Sequence, residues 1–358
     1  MLGSMYGFER ARAGLAAVVL SIPVLGIFSC FYHVSDLAPS ASASCEGANL
    51  ATSKLHCGAC DHDCRGGECI AGVCQPLFLA TDQPNASGLA MDEGFVYWTT
   101  QTDGGTVMRA PKDGGRRDVI ASDLNMPFDI AVDSTHAYFT TTAGGQIVAA
   151  QKDGGPRTVI ADQEDTPVGI AIDSENVYWT SVGETGVIPQ ADGGAVRTST
   201  KAGTIRRELA RDQGYLYAIA VDDTNVYWSN VTRNRIMRVN KRGGTVEQVS
   251  DTTPNPPHGL AIVSGVLYWA EDGGRIMRLK LAPGETPSLV KAGGGTPARD
   301  VTADPSNVVY WTKPGQVWSS ALAEPLVSNE RDPHDIAVDE RAVYWTDYGV
   351  GAVKMRVK

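Results

Sequence analysis

An all-β chain closed into a ring of seven blades is the fold class this sequence predicts, and three observations predict it. A motif of two short apolar runs around a polar turn occurs seven times. Each step between copies holds four strand-like runs. Gly is abundant at 39 residues, while charged residues make up only 20% of the chain. That composition suits many tight turns better than helices.

The copies are "GLAMDEGFVYWTT" from Gly88, "DIAVDSTHAYFTT" from Asp129, "GIAIDSENVYWTS" from Gly169 and "AIAVDDTNVYWSN" from Ala218. They continue with "GLAIVSGVLYWAE" from Gly259, "DVTADPSNVVYWT" from Asp300 and "DIAVDERAVYWTD" from Asp335. The aromatic residue of the second run is Trp98, Phe139, Trp179, Trp228, Trp269, Trp311 and Trp345, in steps of 41, 40, 49, 41, 42 and 34 residues. Within a step, "GIAID" and "NVYWT" are the first two strands, a run such as "RIMRVNK" is the third, and "RTVIAD" is the fourth. Short Val-, Ile- and aromatic-rich runs separated by Asp and Gly are strand signals. Apolar residues on successive positions mean sheet packed on both faces. A unit of four strands in forty-odd residues is a β-propeller blade, which buries its faces only against its neighbours.

The last copy ends after a third strand, "GAVKMRV", and the missing fourth lies at the front, where "PLFLATDQPNASGLAMD" aligns with "RTVIADQEDTPVGIAID". Residues near Leu77 to Thr81 are therefore expected to pair with the C-terminal blade and close the ring. The recurring "VYWT" resembles the YWTD repeat of lipoprotein-receptor propellers and the related NHL-type repeats, from Leu77 onward. Only Tyr344 to Asp347 spells YWTD in full, and the receptor modules have six blades where seven copies stand here. The resemblance implies the fold and a habit of binding partners, with no reaction attached.

Ahead of the propeller the sequence divides into three segments. Residues 1–29 read as a secretory signal, with Arg10 and Arg12 before the apolar "LAAVVLSIPVLGIF". "IFSC" resembles the bacterial lipobox, which implies lipidation of Cys30, and residues 30–44 then form a polar tether. The reading is an exported, membrane-anchored lipoprotein of a bacterial cell envelope. Residues 45–75 hold Cys45, Cys57, Cys60, Cys64, Cys69 and Cys74. Six cysteines in so short an exported segment imply three disulfides, with the pairing left open. Zinc is the rival, since His56 and His62 lie among the thiols. The segment "CGACDHDCRGGECIAGVCQP" resembles short Cys-Gly modules preceding propellers in exported bacterial proteins, which implies a spacer or surface module. Residues 76–358 are the propeller. A net charge of −10 with no basic block excludes nucleic acid, and limits membrane contact to the lipid anchor.

The shared residues belong to the frame. Asp92, Asp133, Asp173, Asp222, Asp304 and Asp339 end first strands, where Asp caps turns through nearby backbone N–H groups. Tyr97, Tyr178 and Tyr227 read as packing between blades. "KDGG" at Lys112 and Lys152, and "ADGG" from Ala191, are hairpin turns. Asn85 and Asn230 head N-x-[ST] triplets, which carry no weight in a bacterial chain. No Ser-His-Asp order, HExxH or paired-carboxylate motif stands out.

Function is sought where the copies disagree. The residue just before the first strand, at the channel mouth, is Ser87, Phe128, Val168, Tyr217, His258, Arg299 and His334 in turn. The next position adds Asp129, Asp300 and Asp335 where other copies have Gly or Ala. These residues are the candidate ligand site: Tyr217, His258, Arg299, His334 and the three carboxylates.

"PPHGLAIVSGVLYWAE" and "DPHDIAVDERAVYWTD" also resemble the repeats of streptogramin (virginiamycin B) lyase, a magnesium-dependent seven-bladed enzyme. The resemblance implies Asp332, His334 and Asp347 as site residues in the last blade, with His258 and Glu271 in the fifth. Pro256 stands where the fifth blade would need its first acid, and the blade carrying Arg299 separates the two histidines. Two functions follow from these residues. The first is non-catalytic binding of a protein or small ligand at the top face. The second is a metal-dependent lyase or hydrolase working through His258, Arg299 and His334, with Glu271, Asp332 and Asp347 near a magnesium ion.

Overall fold

The computed structural model describes residues 45, 47–183, 193–250 and 254–358. The signal segment, Cys30 and the tether lie outside the described residues, as do Ala191 and Asp192. Among the described residues no helix is long and apolar enough to cross a membrane.

Seven four-stranded antiparallel sheets form the blades. Their inner strands are Ala86–Met91, Pro127–Val132, Pro167–Ile172, Leu216–Val221, Pro257–Val263, Val301–Ala303 and Pro333–Val338. Six blades take their strands consecutively from the chain, and the seventh borrows its outer strand from the front. That strand, Leu77–Ala80, runs antiparallel to Ala352–Val357, with Leu77 opposite Met355 and Ala80 opposite Val353. The closure expected from the sequence is present, and it covers what would be an open sheet edge.

The aromatic pair explains why the blades need one another. Successive strand residues point to opposite faces, so the Tyr of "YW" faces one neighbouring blade and the Trp faces the other. Tyr138 packs in one apolar cluster with Trp179, Tyr178 with Trp228, and Tyr227 with Trp269. Tyr268 joins Trp311, Tyr310 joins Trp345, and Tyr97 joins Phe139. Tyr344 meets Trp98, which seals the ring. The six tryptophans and Phe139 are all 0% exposed.

The recurring aspartates act as turn caps and also as clasps. Asp92 Oδ1 accepts the N–H groups of Gly94 and Phe95 at 2.9 and 2.8 Å, and Oδ2 accepts the Tyr97 hydroxyl at 2.7 Å. Lys152 of the next blade then reaches Asp92 Oδ2 at 2.7 Å. The pattern repeats with Lys201 on Asp133, Lys241 on Asp173, Lys358 on Asp304 and Lys112 on Asp339. Burial alone would raise the Asp92 carboxyl, but Lys152, Tyr97 and the turn N–H groups bring it down to about 2. In the fifth blade Leu281 holds the lysine position, and among the described residues no lysine forms an ion pair with Asp222. The glycines of both "KDGG" turns have positive φ, as at Gly114 (81°) and Gly154 (89°).

The fifteen pairings open to the six cysteines reduce to Cys45–Cys60, Cys57–Cys69 and Cys64–Cys74. The Cys module packs against the propeller. Cys57, Cys64, Cys69 and Cys74 share a core cluster with Leu79, Val353 and Val357 of the closing blade. His62 Nε2 lies 2.9 Å from the Lys358 carbonyl, and Arg65 pairs with Asp113 at 3.0 Å. A segment too small for its own core has joined the neighbouring one.

Candidate functional site

The mouth residues do not precede the inner strands; in six blades they lie inside them. The reason is a bulge. In the first blade Ala86 opposes Thr100 and Leu89 opposes Trp98, so one strand carries an extra residue. The same break occurs between Pro127 and Ile130, Pro167 and Ile170, Leu216 and Ile219, Pro257 and Leu260, and Pro333 and Ile336.

The bulge costs each strand a ladder bond, and the hydroxyl of "YWT" replaces it. Thr99 Oγ1 accepts the Gly88 N–H at 3.0 Å and donates to the Phe128 carbonyl of the next blade at 2.6 Å. Thr140 accepts from Asp129 and donates to Val168. Thr180 accepts from Gly169 and donates to Tyr217. Thr312 links Asp300 to His334, and Thr346 links Asp335 to Ser87. Each hydroxyl ties its own inner strand to the mouth residue of the next blade. The fifth blade has Ala270 at this position, and there the Gly259 N–H donates directly to the Arg299 carbonyl at 2.9 Å.

Two residues per blade are thereby turned into the channel, and they form layers. The outer layer is partly aromatic. Phe128 meets Tyr217 and His334 edge-on, each at 6.0 Å between ring centres, and Tyr217 meets His258 at 5.2 Å. Tyr348 adds a ring 5.9 Å from His334. Because Phe128 comes from the second blade, Tyr217 from the fourth and His334 from the seventh, this collar spans the mouth.

The second layer carries the carboxyls. Asp129 accepts the Ile130 N–H and, across the blade junction, the Ile170 N–H, both at 2.8 Å. Asp335 does the same with Ile336 at 2.8 Å and Leu89 at 2.7 Å. Asp300 accepts the Ile336 N–H at 3.1 Å. The neighbouring copies must be small to admit these groups. A Cβ at Gly259 would stand 2.5 Å from the Asp300 Cα, and one at Gly88 would stand 2.9 Å from the Asp129 Cα.

Below lies an aliphatic layer that includes Leu89, Ile170, Ile219, Leu260, Val301 and Ile336. The layers bound a cavity of ≈ 210 Å³. The carboxyls are half-buried in the channel wall. Burial, then the nearby Asp335, raises Asp129 to about 7. Burial and the facing Asp300 push Asp335 well above the usual carboxyl range. Burial also raises Asp300, with Asp129 adding to the effect. His334 is lowered to about 4 by burial, by Arg299 and by His258, so it is a neutral imidazole at ordinary pH. Two polar atoms at this site have no hydrogen-bond partner, Ser87 Oγ on a residue 0% exposed and His334 Nδ1.

The structure thus brings Asp129, Tyr217, Asp300, His334 and Asp335 to one cavity, with His258 and Arg299 at its edge. The edge residues are already paired, His258 with Asp272 at 2.8 Å and Arg299 with Asp332 at 2.9 Å.

The carboxylates that the lyase resemblance offers to magnesium are largely held within the chain. Asp347 accepts the N–H groups of Arg331 and Asp332 and the Lys354 ammonium. Glu271 Oε1 accepts the Trp269 indole N–H at 3.1 Å, while its buried Oε2 has no hydrogen bond and stands 3.6 Å from Arg275 Nη1. Among the described residues, one group of three His, Cys, Asp or Glu side chains has its ligand atoms within 4.8 Å of one another. It is Cys57, Cys64 and Cys74, whose sulfurs are held in disulfides. The residues as arranged do not fit a directly liganded magnesium ion.

The architecture has known counterparts. Virginiamycin B lyase from Staphylococcus aureus superposes with a TM-score of 0.64 at 17% identity, over 79% of this chain and 99% of that one. A catalytically inactive form of the same enzyme, crystallised with quinupristin, gives 0.65 at 16% identity over 79% of this chain and 99% of that one. A nidogen/laminin complex gives 0.48 at 26% identity over 56% of this chain and 77% of that one. At these identities the lyases show a shared propeller fold. No protein-family model and no curated protein sequence matches the chain.

Sequence reasoning missed the threonine bridges and the lysine clasps. Their only signal was the recurrence in most copies of the T in "YWT" and of a Lys after the third strand, the first acting on the next blade and the second on the preceding one.

Proposed function

We propose that this protein is an exported, lipid-anchored envelope protein whose propeller binds a ligand at the channel mouth without turning it over. The observation that carries the reading is the cavity under the ring collar. It gathers the titratable residues by which the copies differ, and Ser87 Oγ and His334 Nδ1 stand there without partners. Buried polar atoms left unpaired in a concave site are where a ligand gains most. The lyase reading needs carboxylates free to take a metal, and Asp332 and Asp347 are engaged within the chain, while Glu271 keeps one oxygen on the Trp269 indole.

The test is a thermal-shift panel of small ions and metabolites, run on the wild type and on the His258→Ser, Arg299→Ser, His334→Ser triple variant. At least one compound should raise the wild-type midpoint and leave the variant unmoved. Incubation with quinupristin and magnesium should leave the chromatographic retention of the compound unchanged; a ring-opened isomer of the same mass, carrying a new double bond, would establish the lyase instead. In cell fractionation, Cys30→Ser should move the protein from the membrane to the soluble fraction. An unchanged distribution would contradict the anchor.

A further inference from the structure

We infer that the acid layer and the ring collar form a site for a small substituted ammonium ion, a choline-like cation. The inference rests on the proposed binding function and names the chemistry of its ligand. Three carboxyls, Asp129, Asp300 and Asp335, line the cavity, and no Lys or Arg lines it. Most other buried or half-buried acids described above have an ammonium, guanidinium or indole partner; Asp222 has turn N–H groups and the Tyr227 hydroxyl instead, and among the described residues this layer is where three carboxyls meet around a cavity that no cation lines.

The shape excludes a bare metal. Asp300 and Asp335 meet as a hydrogen-bonded pair, but the three carboxyls do not form a set with all their ligand oxygens within 4.8 Å, and ≈ 210 Å³ is far more than a single water or a desolvated ion needs. An organic cation fills such a volume while keeping its charge near all three groups. The collar supplies the second half of the recognition. Phe128, Tyr217 and His334 line the same cavity as the acids, and aromatic rings attract cations that are stripped of water. The aliphatic layer beneath suits N-methyl groups, which carry the charge but donate no strong hydrogen bond. Ser87 Oγ and His334 Nδ1 remain to meet a ligand hydroxyl.

Several titratable or charged groups face the site: Asp129, Asp300, Asp335, Tyr217, His334, His258 and Arg299. Tyr217 stays neutral, since burial and then Asp300, Asp335 and Asp129 all raise it. Burial lowers His258, with Asp272 opposing and Arg299 assisting. The acids therefore dominate the response to pH. A bound cation must displace their protons, so affinity should rise as pH increases through the range around 7 where Asp129 ionises.

The experiment is calorimetric titration of the whole exported chain with choline, phosphocholine, tetramethylammonium and 3,3-dimethylbutan-1-ol, the uncharged isostere of choline. Choline should bind more tightly than tetramethylammonium and at least about tenfold more tightly than the neutral isostere. Affinity of the wild type should climb between pH 5 and pH 8, which requires no substitution. The Asp300→Asn, Asp335→Asn double variant should lose about tenfold or more, and Phe128→Leu should weaken binding while retaining the charge dependence. Tighter binding of phosphocholine than of choline would assign a headgroup, and the reverse would assign a free solute. Equal binding of the isostere, or affinity flat with pH, overturns the cation site and leaves the binding function standing. Absence of heat from every probe overturns the cation site too. Failure of the whole thermal-shift panel as well would overturn both readings.

Discussion

Replacing Thr140 by Val should destabilise the propeller out of proportion to the one oxygen removed. Thr140 is 0% exposed, and its Oγ1 takes the Asp129 N–H at 3.1 Å while donating to the Val168 carbonyl at 2.8 Å. Valine keeps the shape and removes both bonds, leaving one buried donor and one buried acceptor unpaired. At about 1–3 kcal/mol for each orphaned group, and with some relaxation of the bulge, the loss should be about 3 kcal/mol. Thr140→Ser keeps the oxygen and should cost under about 1 kcal/mol. Urea unfolding should show a lower midpoint for Thr140→Val with an unchanged slope, which separates a stability change from a change in the unfolded state. The fifth blade supplies the internal control. Ala270 already lacks the hydroxyl, and the strand there uses the Arg299 carbonyl instead. If Thr140→Val unfolds within about 0.5 kcal/mol of the wild type, the bulge satisfies itself and the threonine account is wrong.

Three further outcomes follow from the same contacts. Lys152→Met removes the ammonium from Asp92, and because that carboxylate is 30% exposed the cost should be about 1–2 kcal/mol, read as a lower thermal midpoint; no change would make the clasp ornamental. Deleting Pro76 to Thr81 removes the outer strand of the closing blade and should cause global destabilisation or aggregation, so wild-type melting after the deletion would contradict the closure. The third concerns pH. A carboxyl raised from 3.8 to about 7 makes the folded state bind a proton that the unfolded state has lost. Its contribution therefore falls as pH rises from about 4 to about 7 and is constant above that. With the channel wet, about 2 kcal/mol is a reasonable magnitude. The wild type should accordingly lose stability relative to Asp129→Asn between pH 5 and pH 8; parallel curves for the two proteins would refute the raised carboxyl.

How much of this was legible in the sequence depended on whether a contact lies within one repeat or between repeats. The strands, the turns at Asp92 and its counterparts, and the displaced strand at Leu77 all follow from patterns inside a single copy. The mouth was legible too, because copies that share a frame can differ at Phe128, Tyr217 or His334 only where the frame does not constrain them. The boundaries there were misjudged because a bulge keeps the strand going after the alternation of side chains has broken. The partners of Thr140, Lys152 and Asp129 lie 28, 60 and 41 residues away, and no local periodicity encodes such pairs. The cysteine pairings were hidden for the same reason. Spacing bounds the number of bridges, while folding against Leu79 and Val353 selects among them.

The most direct test of the account counts protons. If the carboxyl layer is the binding site, a cation entering it must drive protons off Asp129 and the Asp300–Asp335 pair. Choline should be titrated at pH 7 in two buffers whose ionisation heats differ widely. The account predicts that the observed heat depends on the buffer, with a net release of about half a proton to one proton per bound ligand. Binding heat that is identical in both buffers would mean that no proton leaves the carboxyls, and would contradict the assignment of the acid layer at the channel mouth as the cation's site.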